Sequence, residues 1–127
     1  MKPAMTLPAN RSRDAADDRD PQTLADDCRD MGEVRAEIDR IDRLLVTLIG
    51  ERQGYIEAAA RIKPHADEVR LSWRIEDVLA KVLAEAEACG LSKRIAEPVW
   101  RELMDRCIEH EHEKWRQFHL RNEQEKP

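Results

Sequence analysis

The sequence predicts an all-α protein, a chain of three helices of which the first is very long. Apolar residues recur at helical spacing along three segments, and no alternating run of β-branched residues is present. Hydrophobic residues make up 41% and charged residues 39% of the 127 residues, a balance typical of helices that bury one face and expose the rest. This length allows one domain with a modest core.

The first helix is expected from about Met31 to Lys63, because Pro64 and the polar residues after it end the helical pattern. Its apolar residues are spaced by three and four in alternation, so they form one seam along the helix. The seam consists of Met31, Val34, Ile38, Ile41, Leu45, Leu48, Tyr55, Ala59 and Ile62.

Two cations lie on this apolar face. The slot of the seam between Leu48 and Tyr55 falls on Arg52, and Lys63 lies eleven residues further on, about 20° from the same line. An arginine is rarely buried without an anion to match its charge. The two side chains therefore predict a pocket for a small anion.

The second helix is expected to start after Ser72, which would be its N-cap. It should end at Gly90, because a glycine followed by an apolar residue such as Leu91 is typical of a helix C-cap. Its apolar face consists of Ile75, Val78, Leu79, Val82, Leu83 and Ala86.

The third helix should run from near Ser92 to about Leu120, with Pro98 either distorting its first turn or marking its true start. Its apolar stripe consists of Val99, Leu103, Cys107, Trp115 and Phe118. Glu111 interrupts this stripe, since it shares a face with Cys107 and Trp115 at a spacing of four.

Arg52, Lys63 and Glu111 could form a site with two fixed positive charges and one carboxyl group that donates a hydrogen bond when protonated. The same three side chains would also be expected in a buried structural ion-pair network. On spacing alone, the structural interpretation is preferred.

The two ends of the chain are rich in charge and lack a periodic apolar face, so they cannot bury enough surface to order themselves. Residues 1–27 are expected to be a disordered leader, residues 28–120 the helical domain, and residues 121–127 a disordered tail. The net charge is −5 and its signs are interleaved, which excludes a basic surface for nucleic acid.

No membrane association is expected, because the longest apolar stretch, Leu44–Ile49, is far shorter than a span. The three cysteines are odd in number and lack metal-ligand spacing, which favours a reduced, cytoplasmic location. His110 and His112 project from different sides of a helix and so predict no metal site; a solvated charged face explains them better. No cofactor is expected.

The lengths of the helices predict a homodimer. A first helix of 33 residues is about 50 Å long, whereas the second is about 27 Å. The shorter helices of one chain cannot cover the whole seam of the first. Pairing of two long helices across a two-fold axis would bury it.

The sequence resembles the all-helical chorismate mutase family, and particularly its small single-domain members, which include the isochorismate pyruvate-lyases. The resemblance covers about Asp27 to Gln117. It rests on three stretches, namely VRAEIDRIDRLLVTLIGERQGYIEAAARIK from Val34 to Lys63, Arg74 at the opening of the second helix, and CIEHEHEKW from Cys107 to Trp115.

The resemblance implies an intertwined helical homodimer with two active sites, each of which takes one arginine from the other subunit. Arg35 matches that donated arginine, and on an ideal helix it is rotated about 100° from Arg52. Arg52 matches the arginine that grips a substrate carboxylate, Lys63 the lysine at the ether oxygen, and Arg74 the second-helix arginine of the pocket.

Glu111 falls where many members of the family have glutamine and some have glutamate. Cys107, one turn before it, is counted among the substrate-binding positions. The implied substrate is a small dianion, chorismate, which rearranges to prephenate in a pericyclic step without a nucleophile, metal or cofactor. The catalytic residues are then Lys63, Glu111 and Arg52.

Two alternatives to a chorismate mutase remain open. Mutases often carry acids where this chain has Leu71 and Ile75, and these aliphatic residues and the ungapped hinge resemble the pyruvate-lyases of salicylate or siderophore synthesis. The glutamate at position 111 departs from the glutamine expected in lyases. The other alternative is a non-catalytic helical dimerisation module, in which Arg52, Lys63 and Glu111 only pair with one another.

Overall fold

The computed structural model describes residues 18–124, with side chains up to residue 121. In this part the chain is helical and contains no strand, which confirms the predicted all-α class. No helix there is long and apolar enough to cross a membrane. The elements are a 3-10 turn at Ala25–Asp27, α1 at Met31–Ile62, a second 3-10 turn at Ala66–Glu68, α2 at Ser72–Cys89 and α3 at Lys93–Gln124.

The chain divides between Arg52 and Gln53 into two compact units. The first contains most of α1 and the segment before it. The second contains the last turns of α1 together with α2 and α3.

In the first unit, Asp18 binds to α1. Its carboxylate accepts hydrogen bonds of 2.8 Å from both Nε and Nη2 of Arg43, and its carbonyl accepts one of 2.6 Å from Arg40. The hydrogen bond from Arg43 lowers the pKa of Asp18. The main-chain N–H groups of Gln22 and Thr23 each donate to Glu37 at 3.1 Å.

These contacts correct part of the expected disordered leader. Residues 18–23 are held against α1 because the carboxylate of Asp18 and main-chain N–H groups bind charged side chains of that helix. Such contacts produce no periodic pattern in the sequence. Residues 1–17 lie outside the described part of the chain.

The last turn of α1 ends where proline was expected to stop it. The helix ends at Ile62, and the N–H of Lys63 still donates to the carbonyl of Ala59 at 2.9 Å. Pro64 has no N–H, so the carbonyl of Ala60 loses its helical partner and the helix cannot continue.

The predicted cap of α2 by Ser72 is wrong, because Ser72 is the first helical residue. The N-cap is Leu71, which is extended at φ −121° and ψ 113° and makes no side-chain cap bond. Its carbonyl instead accepts the N–H groups of Arg74 and Ile75 at 3.0 and 3.1 Å. The backbone geometry of Leu71 therefore starts the helix without a hydroxyl cap.

The predicted C-cap of α2 is confirmed. Gly90 has φ 83° in the left-handed region, which L residues with a side chain rarely adopt. The N–H of Leu91 donates to the carbonyl of Ala86 at 2.9 Å and satisfies a carbonyl at the end of the helix.

The third helix begins next to Ser92, as predicted, and the N–H of Arg94 donates to the Ser92 hydroxyl at 3.2 Å. Pro98 lies inside the helix and does not mark its start. The helix continues to Gln124, so residues 121–124 are helical and not part of a disordered tail; residues 125–127 lie outside the described part.

The buried side chains of the second unit come mainly from the packing of α2 on α3. Leu79 and Ala86, both predicted on the apolar face of α2, are buried. On α3, the predicted stripe residues Leu103, Cys107, Trp115 and Phe118 are half-buried, whereas Val99 is 51% exposed and Met104, outside the predicted stripe, is only 6% exposed. Packing against neighbouring elements selects this face, and the hydropathy of α3 alone does not fix it.

The apolar seam of α1 is largely exposed on the single chain. Its exposed members are between 43% and 68% accessible. They are Met31, Ile38, Ile41, Leu45, Leu48, Tyr55 and Ile62. An exposed apolar surface of this kind is typical of a face that pairs with another protein surface.

Candidate active site

Lys63 and Glu111 are brought together by the fold. Lys63 directly follows the last residue of α1, and Glu111 lies in the middle of α3. The Lys63 Nζ lies 2.7 Å from the Glu111 Oε2, and the two side chains are 24% and 4% exposed. The charge of a nearly buried carboxylate is thus matched by an ammonium group that still reaches solvent.

A second polar pair lies beside the first. His110 directly precedes Glu111 on α3. Its Nε2 lies 2.7 Å from the Oε2 of Glu57 on α1. The hydrogen bond from His110 lowers the pKa of Glu57. The expectation of a solvated face is wrong for His110, which is two-thirds buried because Glu57 on α1 faces it.

Two rings of α3 bind the main chain of α1. The Nε1–H of Trp115 donates to the carbonyl of Lys63 at 2.9 Å, and the Nε2 of His119 lies 3.2 Å from the carbonyl of Ala60. The rings stack with their centroids 4.4 Å apart. The apolar stripe of α3 predicted only a packing role for Trp115. The signal in the sequence for this hydrogen bond is Pro64, which removes a main-chain donor at the end of α1.

Arg74 lies at the exposed start of α2 and binds a carboxylate on its own helix. Its Nη1 lies 2.6 Å from Asp77 Oδ2, which also accepts a bond of 3.0 Å from Lys81. These hydrogen bonds, from Lys81 and then Arg74, lower the pKa of Asp77. Cys107 is half-buried on α3, one turn before Glu111.

The two remaining candidates lie on α1 in the first unit. Arg52 is half-buried and Arg35 is exposed. The structure thus pairs Lys63 with Glu111 directly, and Arg74 is paired with Asp77 on α2.

The chemistry open to the central pair is electrostatic. A lysine ammonium is a compact point charge that can stabilise negative charge on an oxygen atom. A neighbouring carboxyl group holds that ammonium in place and, when protonated, can donate a hydrogen bond of its own. The fold and this pair define an all-helical protein with a charged site at the junction of two helices.

A sequence model of the chorismate mutase type II family matches residues 34–112. The match spans most of α1, all of α2 and α3 as far as His112. The chain belongs to this family, which confirms the resemblance drawn from its motifs.

The chain is also similar to the isochorismate pyruvate lyase of Pseudomonas aeruginosa. The two are 29% identical over 92 residues, which cover 72% of this chain and 91% of the relative. The chain is therefore an enzyme of chorismate-related catalysis.

Proposed function

We propose that this protein is a chorismate mutase that converts chorismate to prephenate. The observation that carries the proposal is the 2.7 Å pair of Lys63 and Glu111, in a chain that matches the chorismate mutase type II family over both residues' helices. An ammonium group beside a nearly buried carboxyl group suits a reaction whose barrier falls through charge stabilisation.

The reaction is a pericyclic rearrangement that needs its substrate folded and its growing charge stabilised. Lys63 would bind the ether oxygen, which becomes more negative as its bond to the ring breaks. Arg52 would hold one substrate carboxylate, since a planar guanidinium pairs with a carboxylate through two parallel hydrogen bonds. Together they would hold the enolpyruvyl arm over the ring.

Glu111 would act as the second donor to the ether oxygen once substrate is bound. In the structure its Oε2 holds the Lys63 ammonium. A bound dianion would compete for that ammonium and would add negative charge next to Glu111. A protonated Glu111 could then donate a hydrogen bond, whereas its carboxylate would repel the developing charge.

Three further residues would complete the binding site. They are Arg74, Cys107 and an Arg35 donated by the other subunit. Arg74 is exposed at the opening of α2, where the bond to Asp77 holds its guanidinium until a substrate carboxylate replaces it. Cys107 would pack against the ligand one turn from Glu111. Arg35, exposed and about 100° around α1 from Arg52, would reach the partner's site.

A homodimer is part of this proposal. The exposed seam of α1, which includes Leu45 and Leu48, presents apolar residues from Met31 to Ile62 and is interrupted by Arg52. A second copy offers the same seam, so an isologous pairing would bury both. The dimer would also supply the donated Arg35 to each site.

A cytoplasmic location is proposed on the basis of the cysteines. Cys28 and Cys89 form no disulfide bond with any residue of the described part of the chain. Cysteines without disulfide bonds are typical of proteins in a reducing compartment.

Isochorismate pyruvate-lyase activity on the same fold is the second candidate. Two observations favour it: the similarity to the Pseudomonas aeruginosa lyase, and the aliphatic Leu71 and Ile75 at positions where related mutases often have acids. Glu111, where the resemblance predicts glutamine for lyases, favours the mutase. Both reactions would use Lys63 and the arginines in the same way.

Product analysis separates the two activities. The purified protein is incubated with chorismate and, separately, with isochorismate, and products are resolved by chromatography, with Lys63→Ala as the matched control. Prephenate formed from chorismate by the wild type and not by the control supports the mutase. Pyruvate and salicylate formed from isochorismate, with chorismate unchanged, would establish the lyase instead. Turnover of neither substrate would support the dimerisation module.

A further inference from the structure

The end of α1 needs hydrogen-bond donors from outside the helix. The last carbonyls of a helix have no partner within it. Here Pro64 removes one more donor, because it occupies the position whose N–H would bind the carbonyl of Ala60. Ala60 is fully buried, so water cannot easily replace the missing donor.

The third helix supplies two such donors from successive turns. His119 Nε2 lies 3.2 Å from the Ala60 carbonyl and Trp115 Nε1 lies 2.9 Å from the Lys63 carbonyl. Because a carbonyl oxygen can only accept, Nε2 of His119 carries the hydrogen. The two rings stack at 4.4 Å with their planes 24° apart, so each restrains the other.

Lys63 is consequently held at both of its ends by one helix. Trp115 binds its main-chain carbonyl, and Glu111, one turn earlier on α3, binds its ammonium. Fixing the main chain restricts where a long, flexible lysine side chain can place its charge. In electrostatic catalysis a small displacement of the charged group lowers the rate, because the donor must lie close to the oxygen atom on which negative charge develops.

We propose that Trp115 and His119 are positioning residues that form an external C-cap of α1 and thereby fix Lys63 for catalysis. This inference rests on the proposed function of Lys63. In this proposal neither ring binds the substrate. Each ring acts by holding a main-chain carbonyl at the end of α1.

The test for Trp115 is Trp115→Phe, which keeps an aromatic ring for stacking and removes only the N–H. Its matched control is Trp100→Phe, the same change at a half-buried position of the same helix. We expect kcat to fall about tenfold for Trp115→Phe with KM changed less than about twofold. Trp100→Phe should change stability alone. Equal kcat for the two folded variants would overturn the proposal for Trp115.

His119 is tested by a pair of variants that separate the donor from the ring. His119→Gln keeps a side-chain N–H that can reach the Ala60 carbonyl, whereas His119→Phe keeps only the ring. The proposal expects His119→Gln to retain most of the wild-type kcat and His119→Phe to lose about fivefold or more. The reverse order would show that stacking, and not the cap, matters.

Amide hydrogen exchange provides a readout that does not depend on turnover. Loss of the cap should open the last turn of α1, so amides of residues 59–63 should exchange faster in Trp115→Phe than in Trp100→Phe. Unchanged exchange there would overturn the cap. If the wild type converts neither chorismate nor isochorismate, the proposed function fails, while the exchange comparison still decides whether the cap exists.

Discussion

The ammonium of Lys63 lies 2.7 Å from the carboxylate of Glu111, joining the end of α1 to the middle of α3. This contact is an ion pair between two helices, as the structural interpretation expects. It is also compatible with a catalytic role for Lys63. Glu111 is 3% exposed, so its charge needs this partner in the folded chain. Lys63 keeps a quarter of its side chain in solvent, where an anionic ligand can reach it.

Lys63→Ala should abolish most of the activity and also lower stability. The loss of the charge at the ether oxygen should reduce kcat by about 10²-fold or more. The same change leaves a nearly buried carboxylate without its partner, at a cost of about 2 kcal/mol, less than for a fully buried pair because Lys63 is partly solvated. Steady-state kinetics and urea unfolding measure the two effects.

The double variant Lys63→Ala with Glu111→Gln is the control for that experiment. Glutamine carries no charge, so stability should recover while activity does not. Recovery of activity together with stability would show that Lys63 only supports the fold.

Glu111→Gln alone should keep or raise the rate at neutral pH. An amide donates a hydrogen bond at every pH, whereas a carboxyl group donates only while protonated. The variant also releases the Lys63 ammonium from its ion pair. A folded but inactive variant, measured with the same substrate over the same pH range, would contradict the role of Glu111 as donor.

Stability should depend on pH through Glu57. The hydrogen bond from His110 lowers the pKa of Glu57 in the folded state. By linkage, the stability that this hydrogen bond contributes is present above the unfolded-state pKa of Glu57, near 4.5. It is lost as the pH falls through the lowered pKa of the folded state.

Glu57→Gln should consequently be less stable than the wild type at neutral pH, with the difference shrinking in acid. Urea unfolding between neutral and acid pH measures it, with Glu113→Gln, at an exposed position of α3, as the control. A difference that stays constant down to the acid limit would exclude this linkage.

Mixing inactive subunits should restore activity if Arg35 crosses to the partner's site. A dimer of one Arg35→Ala chain and one Lys63→Ala chain contains one site with both residues intact. Co-refolding equal amounts should give half mixed dimers, and hence roughly a quarter of the wild-type activity. Activity no higher than that of the separate variants would place Arg35 and Lys63 of the same chain in one site.

A charge in the exposed seam of α1 should break the dimer. Leu45→Glu puts a carboxylate on the seam, where Leu45 is 48% exposed on the single chain. Val46→Glu is the control, since Val46 lies about 100° around the helix and is 69% exposed. Sedimentation should show a dimer for the wild type and the control only. A stable folded monomer of the wild type at micromolar concentration would refute the intertwined dimer.

The local patterns of this sequence were sufficient for the elements and for singling out Lys63 and Glu111, which the fold brings together. Pro64 ended α1 and Gly90 capped α2 because each restricts the backbone by itself. Lys63 and Glu111 were found because each places a charge within an apolar stripe. The expected Ser72 cap failed, since a hydroxyl at a helix start is only one of several ways to begin a helix and the extended backbone of Leu71 supplied another.

The sequence by itself determined three helices, their approximate limits and the charged positions on their apolar faces, because side-chain periodicity and backbone restriction act within a few residues. The tertiary structure alone decided which distant groups meet: Asp18 with Arg43, Glu57 with His110, and Trp115 with the Lys63 carbonyl. These partners are 25, 53 and 52 residues apart. Their bonds depend on how the helices pack, and no local pattern carries that information.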